Sequence, residues 1–137
     1  MTRAWWTVLA VLVAASAFGG VVENSGVKGG IIVRVGFDSG EELAALRIND
    51  KYLVHGLHTD GAKLSAARRS LRDAGQYGQV SAYKFDGKAL PYADNLVNLV
   101  VISNSAFRIP QSAIDRVLAP GGVAIVNGKK TVKPVPD

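Results

Sequence analysis

Apolar runs of two different periods take turns along this chain, and that alternation limits its possible folds more than any other feature. Ile31-Ile32-Val33-Arg34-Val35 is a β-branched run ended by Gly36 and reads as a strand. Glu41 to Asn49 reads as a helix, opened by acidic residues and carrying Leu43, Ala44 and Leu46 as an apolar stripe. Leu53 to Leu57 is a second strand. Ala62 to Ala74 is a second helix, with Leu64, Ala67, Leu71 and Ala74 on one face and Gly75 as its stop. Gln79 to Phe85 is a third strand. Leu96 to Ile102, interrupted only by Asn98, fits a central strand buried on both faces. Gln111 to Leu118 is a third helix, led by Pro110 and closed by Pro120-Gly121-Gly122, and Val123 to Val126 is the last strand. Short helices between strands call for a parallel sheet with crossover connections, an α/β fold of three layers. In open sheets of this kind the ligand crevice lies beyond the carboxyl ends of the strands. The candidate functional residues are therefore Gly36 to Gly40, His58 to Asp60, Asp86 with Gly87, and Ser103 to Ser105.

Composition supports one such domain and removes several functions. The 137 residues, 48% hydrophobic and 20% charged, suit a single globular core and exclude wholesale disorder. The chain has no cysteine, which excludes a disulfide scaffold, a thiolate metal site and a cysteine nucleophile. The net charge is +5, but the cations are scattered. Their densest group, Lys129, Lys130 and Lys133, has no aromatic residue within it to stack a base, so nucleic acid is not an expected partner.

Residues 1–20 form a separate object with the parts of an export signal. Arg3 gives a short positive start, Trp5 to Ala15 is apolar apart from Thr7, and Ala15-Ser16-Ala17 is a small-residue cleavage pattern. The charge-free stretch from Trp5 to Val22 also approaches the length of an uncleaved anchor. The expected location is exported, periplasmic or secreted, or held at a membrane through this segment alone. Residues 21–127 then form the α/β domain. Residues 128–137, with Pro134 and Pro136, read as an extended linker tail.

Four segments of the domain together resemble a class I S-adenosylmethionine-dependent methyltransferase. Val33 to Gly40 sits where that family has its strand and glycine loop. Leu53 to Asp60 looks like its second strand and ribose-binding turn. Phe85 to Asn95 resembles the adenine-binding loop with the Leu-Pro-aromatic segment after it. Arg116-Val117-Leu118-Ala119-Pro120-Gly121-Gly122 matches the turn before the fifth strand. The resemblance implies a Rossmann-like methyltransferase fold with about five parallel strands in the order 3-2-1-4-5, truncated after the fifth. It implies S-adenosylmethionine as the cofactor if the domain is active. It places Gly36, Asp38, Gly40, His58, Asp60, Asp86 and Gly87 around that cofactor, and it names no catalytic base. The whole arrangement is also similar to the start of exported planctomycete-type proteins, in which a leader and such a domain precede a β-propeller of the pyrroloquinoline-quinone-binding type. Thr131 to Pro134 resembles the exit into that junction. The resemblance also implies two more strands packed beside the fifth. Without them Val123 to Val126 would be an uncovered apolar edge, so another domain or chain is expected to cover it.

The sequence departs from the family pattern at the cofactor contacts. Asp38 replaces the middle glycine of the loop, Arg34 stands where an acid precedes Gly36, and His58 holds the position of the ribose carboxylate. Each such loss costs on the order of 1–3 kcal/mol. A micromolar affinity totals only about 8 kcal/mol. The expected function is therefore a methyltransferase-like domain degenerate in cofactor binding, or a non-catalytic binding or scaffolding module.

Other constellations are weaker. His55, His58 and Asp60 form a metal set only if a sharp turn brings both strand faces together. Ser39 lacks the G-x-S-x-G elbow of a hydrolase, and no G-x-G-x-x-G of a dinucleotide fold is present. Tyr92 reads as a lid or core aromatic. Asn98 reads as a side chain satisfied by neighbouring backbone.

Overall fold

The structure, a computed structural model, describes residues 20–103 and 107–136. Apart from Gly20, the expected leader lies outside the described residues, as do Asn104 and Ser105. Among the described residues no helix is long and apolar enough to cross a membrane. After a helical stretch at residues 20–25 the chain runs β1 (Gly30–Val35), α1 (Gly40–Leu46), β2 (Tyr52–His58), α2 (Gly61–Asp73), β3 (Val80–Lys84) and β4 (Val97–Ile102). It ends with α3 (Gln111–Val117), β5 (Leu118–Val126) and β6 (Lys129–Val132).

Among the described residues the sheet has six strands in the order β3-β2-β1-β4-β5-β6. The first five pair in parallel, as the alternation of strands and helices requires. Alternate residues divide between two cores. On one face, Ile32, Val54 and Leu99 pack with Leu43 and Leu46 of α1, Leu64 and Leu71 of α2, and Val22. On the other, Val33, Val35, Leu57, Val100 and Ile102 pack with Ile114 and Val117 of α3 and with Phe85 and Leu90. The crossover from β3 to β4 contains no helix. The second face is therefore thinly roofed over β2 and β3, where Leu53 and Tyr83 are both 44% exposed.

Local chemistry sets the element ends. Ser39 caps α1 by accepting from the Glu42 N–H at 3.2 Å, with Glu41 and Glu42 in the first turn. The helix stops at Leu46, short of the expected Asn49. Asn49 instead accepts from the Lys51 N–H at 2.8 Å in a side-chain turn that returns the chain to β2. Asn98 accepts from the Ile31 N–H at 3.0 Å, as the backbone-satisfied reading expects. β5 begins at Leu118 rather than Val123, because Leu118 already pairs with Val97. The Pro120-Gly121-Gly122 segment, expected as a turn, is accommodated where the register shifts between Val97 and Leu99.

The tail corrects two expectations. Residues 129–132 are a sixth strand, antiparallel to β5, and not part of an extended linker. Asn127 and Gly128 both have positive φ, 50° and 82°, as a two-residue hairpin turn requires. The edge at Val123 to Val126, expected to need another domain or chain, is covered by this chain's own Lys129 to Val132. The signal was in the sequence: Asn-Gly between two β-branched runs is a strong hairpin signature. Lys133 fastens the exit, its Nζ donating to the carbonyls of Asp115 and Leu118 at 2.7 and 2.8 Å.

Candidate functional site

The crevice is built from the turns that follow β1, β2 and β3, with Phe107 beyond β4. Gly36 leaves β1 with φ of 78°, and its N–H donates to the Leu57 carbonyl at 2.8 Å. The next residue, Phe37, turns down into the core and is fully buried. Asp38 turns the other way. Its carboxylate is exposed and lies 3.4 Å from Lys63 Nζ, while its backbone N–H donates to Glu42 Oε2 at 2.7 Å.

Beneath this loop lies a buried ion pair. Arg34 Nε donates to Glu42 Oε1 at 2.7 Å, and Nη2 lies 2.6 Å from the same oxygen. Arg34 Nη1 also donates to the carbonyls of Val35 and Val101. The cation at position 34 thus has its counter-charge on α1, and that carboxylate also holds the loop backbone. Buried charges persist only when paired and hydrogen-bonded in this way.

At the end of β2, His58 is 7% exposed. Its Nδ1 accepts from the Asp60 N–H at 2.9 Å, which leaves the ring proton on Nε2. The ring meets Phe37 edge-on with centroids 5.3 Å apart and Phe107 edge-on at 5.4 Å. Phe107 in turn stacks on Phe85 at 5.8 Å. The last residue of β2 and the segments beyond β1, β3 and β4 each contribute one ring to this cluster, in the edge and stacked arrangements that aromatic quadrupoles favour. Burial, and then the charge of Lys63, hold the His58 imidazole below its ordinary pKa. His55 lies on the opposite face of the sheet against Tyr83 and Tyr92, so the two histidines do not converge.

The acidic candidates serve their own backbone. Asp60 caps α2, its Oδ1 accepting from the N–H groups of Ala62 and Lys63. Asp86 Oδ1 accepts from the N–H groups of Lys88 and Ala89, both at 2.8 Å. Those bonds, Ala89 first, lower its pKa. Gly87, at φ of 86°, brings this loop beside Thr59. Gly40 is a packing glycine: a Cβ there would lie 2.9 Å from the Ala67 carbonyl oxygen of α2.

The structure therefore gathers Gly36, His58, Asp86 and Gly87 at one rim, leaves Asp38 facing solvent, and uses Asp60 and Gly40 to seat α2. Sequence reading missed the ring cluster, whose members lie far apart in the chain, and the role of Glu42. It also missed Arg116, which clamps the Leu-Pro-aromatic segment by donating to the carbonyls of Leu90 and Tyr92 and pairing with Asp94.

Known proteins agree with this architecture. A structure of a SAM-dependent methyltransferase from Aquifex aeolicus is similar with TM-score 0.67 and 19% identity, covering 78% of this chain and 61% of that one. The geranyl diphosphate C-methyltransferase of Streptomyces coelicolor, solved with S-adenosyl-L-homocysteine, is similar with TM-score 0.69 and 17% identity, covering 80% and 42%. The [4+2]-cyclase SpnF is similar with TM-score 0.69 and 22% identity, covering 80% and 43%. The chain spans about half the length of the solved structures it matches. It matches no functionally curated protein at a significant level. The model of the family described as "Methyltransferase domain" matches residues 33–126, from the middle of β1 to the last residue of β5. A parallel sheet in the order expected of that family, with its glycine turn and its Leu-Pro-aromatic loop in place, carries the same conclusion from the physical side: the chain belongs to the methyltransferase domain family.

Proposed function

We propose that this domain keeps the methyltransferase fold but has a closed adenosyl crevice, and that it serves as a binding or scaffolding module rather than a catalyst. The observation that carries this reading is the His58 ring, packed between Phe37 and Phe107 with its Nδ1 already engaged. S-adenosylmethionine is the cofactor of the family and the one this domain takes if it is active. The residues present do not fit its adenosyl group. A ribose diol is best held by an acceptor for both hydroxyls, and Nε2–H of His58 is a donor. Asp38 sets an exposed carboxylate where a glycine lets the cofactor pass. The fold itself does not dictate methyl transfer, as the cyclase among its neighbours illustrates.

The export pattern of residues 1–20 supports the same reading, because an exported domain meets little of an intracellular cofactor. In this reading the domain is part of an exported or membrane-anchored protein, and a propeller following the tail is the companion we propose.

Calorimetric titration of the full chain with S-adenosylmethionine and S-adenosylhomocysteine tests the closed crevice. Silence at about millimolar ligand is expected, whereas an affinity near micromolar would sink the reading.

A further inference from the structure

A second cavity lies on the sheet face that α1 and α2 do not cover. Its volume is about 440 Å³, and His55, Leu57, Tyr83, Lys84, Pro91 and Tyr92 line it. It exists because the β3–β4 crossover has no helix to roof β2 and β3, leaving the Leu90 to Tyr92 segment as one wall. Arg116 holds that wall in place through the Leu90 and Tyr92 carbonyls, at 2.9 and 2.8 Å.

Three features define what such a cavity takes. The walls are flat and apolar: the His55 ring meets Tyr83 edge-on at 5.3 Å and lies 6.1 Å from Tyr92, with Leu57 and Pro91 beside them. The Tyr92 hydroxyl is buried and has no hydrogen-bond partner among the described residues. Burial, and then the Tyr83 phenol, push its pKa far up, so it remains a donor at physiological pH. A buried donor without an acceptor costs on the order of 1–3 kcal/mol, which an incoming acceptor recovers. Lastly, among the described residues no acidic side chain lines the cavity, and Lys84, the register partner of His58, borders it only from the strand's other face.

We propose that this cavity binds a planar aromatic ligand bearing a carbonyl or carboxylate acceptor, the ring lying among His55, Tyr83 and Tyr92 and the acceptor oxygen taking the hydrogen bond of the Tyr92 hydroxyl. The volume falls in the lower part of the range for small-molecule sites, which suits a ligand of one or two rings. The inference is independent of the crevice reading, because His55 and His58 face opposite sides of the sheet.

The test is an NMR titration of the full chain with 2-naphthoate, with cyclohexanecarboxylate as a non-planar control. Saturable shifts at His55, Tyr83 and Tyr92 are expected, with none at His58. Tyr92→Phe should weaken binding by about tenfold while the ligand-free protein melts no lower than wild type, since it loses an unsatisfied hydroxyl. The proposal is overturned by an absence of saturable shifts up to about 10 mM, by equal binding of the cyclohexane acid, or by undiminished affinity in the phenylalanine variant.

Discussion

Arg34 and Glu42 face each other across the first strand-to-helix turn as a buried ion pair, each 5% exposed, with Nε and Oε1 2.7 Å apart. The same carboxylate receives the Asp38 N–H, so the pair fixes β1, α1 and the glycine loop together. Removing one partner leaves an uncompensated buried charge. Glu42→Ala should cost about 3–5 kcal/mol in urea unfolding. Arg34→Met combined with Glu42→Gln should cost clearly less, because the amide oxygen introduced by the second change can still accept from the Asp38 N–H. A double-mutant cycle reads the coupling, and additive losses would refute it.

The buried histidines make stability depend on pH. Desolvation holds both His55 and His58 below the ordinary value of 6.5. As pH falls through that value the unfolded chain takes up protons first, so stability is level above about pH 7 and declines below about pH 6.5. Urea midpoints measured across this window check the slope. His58→Asn should flatten it, whereas an unchanged slope would remove His58 as a source.

The ring cluster predicts how the crevice answers repair. Asp38→Gly with His58→Asp restores the family's residues but leaves Phe107 against position 58. That double variant should show no binding of S-adenosylhomocysteine. Adding Phe107→Ala should make binding detectable at about millimolar ligand. Calorimetry distinguishes the two, and strong binding by the double variant alone would show that the rings do not close the site.

Ending the chain after Asn127 should expose β5. The lost strand carries exposed Lys129 and Lys130, which suit a solvent-facing edge, whereas β5 presents the apolar run Val123 to Val126. Light scattering should report self-association of the truncated protein at concentrations where the full chain scatters as a single species. A monodisperse truncated protein would contradict this.

Gly40→Ala probes the packing of α1 on α2. The added Cβ would sit 2.9 Å from the Ala67 carbonyl oxygen, against backbone that cannot rotate away. A loss of about 1–3 kcal/mol in thermal or urea unfolding is expected. A neutral result would mean that the two helices slide apart freely.

Local periodicity was enough to place β1 to β4 and the three helices between strands, though α1 stops at Leu46, β5 begins at Leu118 and β6 stands where a linker was expected. Ile31 to Val35 and Leu96 to Ile102 are runs that only a buried strand accommodates, and Leu64, Ala67 and Leu71 repeat at helical spacing. Gly36 was legible for the same reason, since it answers a need of its own backbone. Asn98 was legible only as a side chain satisfied by backbone, and the sheet decided that the backbone is that of Ile31. The hairpin at Asn127-Gly128 is equally local, although the prolines after it give the tail the composition of a linker. Contacts between residues distant in the chain could not be read this way. Whether Arg34 found a counter-charge, whether Asp60 would hold a ligand or a helix, and which rings would meet His58 all depended on how the strand ends came together. Periodicity fixes which side of an element is buried, but only the assembled sheet decides which buried groups become neighbours, and those neighbours set the chemistry of the rim.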